Sequence, residues 1–141
     1  MSWFAWAIVA AVFWGLGPIF AKMGLEKPDA LTALLIRSIA VLVVLVAWGI
    51  LRGGLAQHLT SVDSRTWFLL LLEGASASVI AHFAYFSALK LGSIANVVPI
   101  TAAYPLVAVA LSVLVLGTKV TAGKWLGAAF TVLGVYFLQR F

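Results

Sequence analysis

Residues 93–116 read SIANVVPITAAYPLVAVALSVLVL, and this stretch decides the fold class of the chain. It carries no charged residue and is long enough to cross a bilayer as a helix. Pro99 and Pro105 interrupt it, and a proline inside a helix removes one N–H and clashes with the carbonyl four residues earlier. Pro105 should therefore free the carbonyl of Thr101. In hydrocarbon such a carbonyl needs cover from protein or water, so the kinked helix either lines a solute path or marks a packing kink.

The composition places the chain among membrane proteins. A hydrophobic fraction of 65%, a charged fraction of 9% and a mean hydropathy of +1.16 exclude the soluble classes. The net charge of +5 does not indicate nucleic acid, because the nine Lys and Arg residues stand singly and mostly at the ends of apolar runs. The absence of cysteine excludes disulfides and thiolate metal sites. We therefore expect a multi-pass protein of the inner (plasma) membrane with no nucleic-acid partner.

Five apolar runs separated by charge-bearing turns predict five transmembrane helices. The sequence thus predicts an all-α integral membrane protein with one domain, residues 1–141. Pro18, which follows two glycines, predicts a bend in the first helix. Gly123 and Gly127 form a GxxxG pattern followed by Gly134, which favours a helix-packing seam within the chain or between subunits. The predicted spans are residues 3–23, 30–51, 66–89, 93–116 and 122–138.

Ionisable residues inside the predicted spans are the first candidates for function. Arg37 stands seven residues inside the second span, where an arginine costs roughly 2.5–3.5 kcal/mol on the insertion scale. It either snorkels to the surface, bonds a backbone carbonyl or contacts a solute. In the third span Ser78, His82 and Tyr85 follow α-helical spacing and form one stripe, for helix–helix hydrogen bonding or for solute contact. Glu73 lies nine positions before His82, which puts the two on different sides of an α-helix.

Counting residues from the ends of the predicted helices places several polar side chains at one depth. At about 1.5 Å per residue they lie roughly 10–14 Å from the membrane face opposite the N-terminus. We predict that this polar layer binds the substrate. Glu73 lies nearer the other face, where it is a coupling residue or ties one subunit to Arg37 of a second, inverted copy. The polar layer is lined by Trp14, Arg37, His82, Tyr85, Thr101 and Tyr104.

The basic residues at the ends of the five predicted spans are evenly divided between the two membrane faces. The positive-inside rule then favours neither orientation. We therefore expect a chain that inserts both ways and forms an antiparallel homodimer, as an inverted pair requires. The alternative is one orientation set by the first helix. The N-terminal face carries Arg52, Arg65, Lys119 and Lys124, and the opposite face carries Lys22, Lys27, Lys90 and Arg140.

Motifs for catalysis and cofactor binding are missing from the sequence. It contains no Walker loop, no GxGxxG and no HExxH. Glu73 is the only carboxylate well inside a span, so no paired acid and base exists for hydrolysis. His58 has no second ligand at a spacing suited to a metal. We expect neither enzymatic activity nor a cofactor.

The ordered set of motifs resembles the EamA-type drug/metabolite transporter superfamily, and most of all its short five-span bacterial and archaeal branch. The resemblance implies transport of a small-molecule metabolite by a helical bundle among membrane lipids. It rests on Trp14-Gly15, Arg37, the run from Tyr85 to Gly92, Val98-Pro99-Ile100, Tyr104-Pro105, Leu116-Gly117, Trp125-Leu126-Gly127-Ala128 and Leu133-Gly134-Val135.

The chain departs from the superfamily at three positions. Thr118 stands where the family usually has an acidic residue, and Thr101-Ala102 is neutral where a charged pair is frequent. Trp14 stands where related four-span multidrug exporters carry a membrane carboxylate, so their proton-coupled mechanism does not carry over. Our first interpretation is a transporter that works by alternating access between inverted subunits. The alternatives are a subunit of a flippase for a lipid-linked sugar and a membrane scaffold that transports nothing.

Overall fold

The computed structural model describes residues 2–140, and these residues form helices joined by short turns, without a β-strand. The helices are α1 (Trp3–Gly24), α2 (Ala30–Arg52), α3 (Leu55–Thr60), α4 (Ser64–Glu73), a π-helix (Gly74–Ala81), α5 (His82–Leu91), α6 (Ile94–Thr101), α7 (Tyr104–Leu116) and α8 (Ala122–Arg140).

Four helical segments are long and apolar enough to cross a membrane. They are Trp3–Gly24, Ala30–Arg52, Ser64–Leu91 and Ile94–Leu116. The prediction of an all-α membrane protein is therefore confirmed. The fifth predicted span corresponds to α8, whose 19 residues begin at Ala122, include Lys124 in the first turn and end in Gln139-Arg140. These polar ends lower its apolar character, and its crossing of the membrane stays a prediction.

Short polar side chains fix where the helices begin. The backbone N–H of Thr32 donates to Asp29 Oδ1 at 2.7 Å, and that of Thr66 donates to Asp63 Oδ1 at 3.0 Å. Both carboxylates satisfy a first-turn N–H that has no partner in the helix. Hydrogen bonds lower the pKa of both carboxyl groups. The largest cause at Asp29 is the bond from the Thr32 backbone N–H, and the largest cause at Asp63 is the bond from the Thr66 hydroxyl. Their contribution to stability is therefore present at neutral pH and is lost as acid protonates the caps.

The contacts divide the chain into two compact units, one formed by Phe20–Leu91 and the other by the residues before and after that range. In the Phe20–Leu91 unit, α2 packs against α5. The end of α1 and the turn after it are both joined to the end of α5. Lys22 Nζ of α1 donates to the carbonyl of Leu89 at 2.5 Å, and Lys90 Nζ of α5 donates to the carbonyl of Pro28 in the turn. The buried side chains of this unit are Leu25, Ala30, Leu34, Phe86 and Leu89.

Leu89 is the residue on which this small core depends most, because none of its surface is exposed. Replacing Leu89 by Ala should lower the free energy of unfolding by about 2–5 kcal/mol, since it removes buried methyl groups and leaves a cavity. Leu91→Ala is the matched control, because Leu91 is 91% exposed on the same helix. The check is the unfolding midpoint of the purified protein in detergent. Equal midpoints for the two variants would contradict the assigned core.

In the other unit, α6 packs against α8. Gln139 Nε2 donates to the backbone carbonyl of Asn96 at 2.6 Å, which ties the end of α8 to the start of α6. Val97 of α6 is buried. Most other apolar side chains of both units are exposed, as expected for helices whose outer surfaces meet lipid or a second subunit.

Candidate functional site

The fourth predicted span is interrupted in the middle, between α6 and α7. The last α-helical bond of α6 runs from the N–H of Ala102 to Val98, and the N–H of Ala103 then makes a tighter bond to Ile100, three residues before it. Pro105 then opens α7 and has no N–H to offer Thr101. Within residues 2–140, the carbonyls of Thr101 and Ala102 accept no backbone hydrogen bond. The break thus leaves two unpaired carbonyls within a membrane-spanning segment.

Two predicted site residues meet beside this break. The rings of Trp14 and Tyr104 lie 6.4 Å apart between centroids and are inclined by 81°, in an edge-to-face arrangement. Both remain open to the surroundings, with 68% of Trp14 and 57% of Tyr104 exposed. Thr101 turns its hydroxyl back to the carbonyls of Val97 and Val98, at 3.1 and 2.9 Å. The Thr101 oxygen therefore presents only its lone pairs to a ligand.

The third predicted span contains a π-helical segment that the sequence pattern did not indicate. Gly74–Ala81 is π-helical, and it joins Glu73 directly to His82. Two predictions assumed α-helical spacing throughout this span. One places Glu73 and His82 on different sides of the helix, and the other places Ser78 on one stripe with His82. That assumption is wrong here, because the bonds of a π-helix link residues five apart. The run of small residues between Glu73 and Val79 is the only sequence signal for it.

His82 is held in one tautomer by this segment. Its Nδ1 lies 2.7 Å from the carbonyl oxygen of Ala77. Because a carbonyl only accepts, the hydrogen of a neutral His82 is inferred to sit on Nδ1. The Nε2 atom of this neutral ring then offers a lone pair. The side chain can therefore accept a hydrogen bond at Nε2 while Nδ1 stays bonded to Ala77.

Tyr85 and Phe86 complete an aromatic cluster around His82. The ring of His82 lies 6.5 Å from that of Tyr85 and 6.2 Å from that of Phe86, in both cases nearly perpendicular. Phe86 is buried, whereas His82 and Tyr85 are half-buried. Phe86 therefore supports the cluster from the protein interior, a role that the sequence analysis did not assign.

The two opposite charges of the Phe20–Leu91 unit do not meet within it. Arg37 is half-buried on α2 and forms no hydrogen bond or ion pair with the described residues of its unit. The same holds for the side chain of Glu73, which is exposed at the end of α4. Isolated charges at membrane depth are costly and usually find partners or water. Neither residue has such a partner in its own unit.

The structure thus brings the predicted site residues together in two groups. Trp14 contacts Tyr104 beside the break that follows Thr101, and His82 contacts Tyr85. Arg37 joins neither group through a hydrogen bond. The backbone carbonyls of Ala77 and Ala102 were missed, because their hydrogen bonding depends on local helix geometry that apolar periodicity does not encode. The described residues contain no group of His, Asp and Glu side chains able to hold a metal ion.

Comparison with known proteins agrees with this architecture. The model of the EamA-like transporter family matches residues 1–140. The chain belongs to the EamA-like transporter family. This confirms the resemblance inferred from the ordered motifs, and the protein is a multi-pass membrane transporter of the drug/metabolite type.

Two relatives match over nearly their whole length. A Sinorhizobium protein named "uncharacterized transporter in cobO 3′region" is 36% identical over 140 residues, covering 99% of this chain and 98% of the relative. An uncharacterized protein of Methanocaldococcus jannaschii is 25% identical over 132 residues, covering 94% and 92%. No solved structure matches the chain.

Proposed function

We propose that two copies of this EamA-family chain, inserted in opposite orientations in the inner (plasma) membrane, form one path that carries a small metabolite by alternating access. The observation that carries the proposal is the pair of unpartnered charges, Arg37 and Glu73. A transporter needs polar groups at membrane depth, and a single chain leaves these two uncompensated. A second copy provides the missing partners.

Inversion brings the two charges to the same depth. Arg37 lies seven residues after the start of α2 at Ala30, and Glu73 lies nine residues after the start of α4 at Ser64. Because α2 crosses the membrane between these starts, the two residues lie in opposite halves of the bilayer. In an inverted copy the halves exchange, so Arg37 of one copy reaches the level of Glu73 of the other. Inverted repeats form transport sites at such interfaces.

Two further features support an inverted pair. With five spans, the eight basic residues at the helix ends divide equally between the faces, so neither orientation is favoured. The glycines of α8 also leave a surface for close helix packing. No neighbouring atom lies within 4 Å of the place that a Cβ would take at Gly123, Gly127 or Gly134. A second copy is the partner that fits both features.

The substrate site in this proposal is the predicted polar layer. His82 offers Nε2 while Nδ1 stays bound to Ala77, and Tyr85 adds a hydroxyl beside it. Arg37 supplies a fixed positive charge. At the helix break, Thr101 supplies a carbonyl oxygen, and Trp14 and Tyr104 supply aromatic faces. Solute can then exchange these protein contacts for water on either side as the two copies rock against each other.

Charge exchange between Arg37 and Glu73 tests this arrangement. Arg37→Glu and Glu73→Arg should each shift the protein from dimer to monomer and abolish uptake, because each leaves like charges facing each other at membrane depth. The double variant should regain dimer and uptake, since it restores opposite charges. Dimer content is measured by crosslinking in proteoliposomes. A thermal-shift screen against amino acids, sugars, amines and organic acids provides the solute for the uptake assay.

Glu26→Gln is the control for this experiment, because it removes the same charge in the exposed turn before α2 and adds no positive charge to either face. It should leave dimer content and uptake unchanged. A double variant no better than either single variant would contradict the pairing.

A further inference from the structure

We infer that the break between α6 and α7 is a subsite for a primary ammonium group, such as the amine end of an alkylamine substrate. The inference rests on the proposed transport function and names the chemistry that the Trp14–Tyr104 end of the site recognises. Two independent features support it, the unpaired oxygens of the break and the open aromatic pair beside them.

The oxygens of the break exceed its donors. The carbonyls of Thr101 and Ala102 and the lone pairs of the Thr101 hydroxyl are all acceptors. On the other side of the break, Pro105 has no N–H and the N–H of Leu106 is bound to Ala103. The N–H of Tyr104 forms no backbone hydrogen bond with the described residues outside its helix. The acceptors of the break outnumber this donor, so a ligand with several N–H groups would supply the donors that are missing.

The surroundings of these oxygens also favour positive charge. The carbonyls stand at the carboxyl end of α6, which carries the negative end of the helix dipole. No charged side chain stands in residues 93–116 or in α1 before Lys22. The start of α7 at Tyr104 carries the positive end of the α7 dipole, so a cation should bind on the α6 side of the break, against the carbonyls. Carbonyls at membrane depth need hydrogen-bond donors from protein, water or a ligand, and an ammonium group supplies both N–H donors and positive charge.

The aromatic pair fits the same ligand. Trp14 and Tyr104 are inclined by 81°, so their faces form two walls of an open corner. An ammonium group within about 6 Å of an aromatic face is attracted by the ring quadrupole, most strongly by tryptophan. Because the carbonyls need N–H donors as well as charge, a primary ammonium suits the site better than a quaternary one, which donates no hydrogen bond.

A matched series of small probes tests this subsite on the purified full-length protein. Butylammonium, butyltrimethylammonium and 1-butanol share the alkyl chain and differ in charge and in N–H donors. Titration calorimetry should show butylammonium binding at least about tenfold more tightly than 1-butanol, with butyltrimethylammonium between them. Equal binding of butylammonium and 1-butanol would overturn the inference.

Substitutions locate the binding. Trp14→Ala should weaken butylammonium binding about tenfold, and Trp14→Phe should weaken it less, because a smaller aromatic face remains. Phe13→Ala is the control, since Phe13 is 67% exposed on the same helix, against 68% for Trp14. An equal loss in Phe13→Ala and Trp14→Ala would overturn the assignment. Unfolding midpoints without ligand confirm that each variant is folded.

Binding of the ammonium probe and uptake of a solute are separate measurements, so the subsite and the proposed transport function can be contradicted independently. Butylammonium binding that depends on Trp14, in a protein that transports no solute, would support the subsite and contradict the proposed function. Uptake of a solute without an amine, unaffected by Trp14→Ala, would support transport and overturn the subsite.

Discussion

Replacing Arg37, His82 or Tyr104 should reduce solute uptake into proteoliposomes by about 10- to 100-fold each, while the protein stays folded and inserted. Each side chain provides a charge, a hydrogen-bonding group or an aromatic face to the polar layer, and hydrogen bonds to charged groups contribute about 1.5–3 kcal/mol. The variants are Arg37→Gln, His82→Ala and Tyr104→Ala. Leu91→Ala, on the exposed end of α5, is the control and should retain full uptake.

A second histidine variant separates the two ring nitrogens. His82→Asn keeps a donor near the place of Nδ1, so it should preserve the bond to Ala77 and the stability of the π-helix. It lacks the Nε2 group, so its uptake should fall as in His82→Ala. Normal uptake in the Arg37, His82 and Tyr104 variants would show that the polar layer only packs and that the site lies elsewhere.

A variant that is locked in one membrane orientation should not transport solute when it is expressed alone. Ala56→Lys with Gln57→Lys adds two positive charges to one face, and Met23→Lys with Leu91→Lys adds two to the other. All four positions are exposed. The positive-inside rule then holds each double variant in one orientation. Each alone should be inactive, because no inverted partner forms.

Co-expression of the two locked variants should restore uptake, since each then supplies the orientation that the other lacks. The restored activity is the internal control for damage by the added lysines. Full uptake by either locked variant alone would contradict the inverted pair.

The helices could be predicted from the sequence because a bilayer imposes one strong requirement, a run of about 20 apolar residues. Accordingly the structure begins α1 at Trp3 and α2 at Ala30, as predicted. Asp29 marks the start of α2 by its capping bond. Pro105 marks the break before α7, because the lost N–H is a property of the residue itself. Each of these signals depends only on neighbouring residues, so it can be recognised in a single sequence.

The site was less predictable because its geometry depends on contacts and on weak backbone preferences. The segment between Glu73 and His82 contains mostly small residues, and no pattern in it distinguishes a π-helix from an α-helix, so the assumed α-helical spacing was wrong. The meeting of Trp14 with Tyr104 joins residues ninety positions apart in the chain, and no periodicity encodes it. Counting residues along the predicted helices gives the depth of each side chain in the membrane, but it does not give the contacts between side chains of different helices.

The orientation of one thiol tests the central claim most directly. The chain contains no cysteine, so Gln57→Cys introduces a single thiol in the exposed helix α3. In sealed right-side-out vesicles, a membrane-impermeant maleimide should label about half of the molecules, and the remainder should react only after detergent is added. This result is expected if the chain inserts both ways in equal amounts. Labelling of all molecules, or of none, before detergent would contradict a transporter built from two inverted copies.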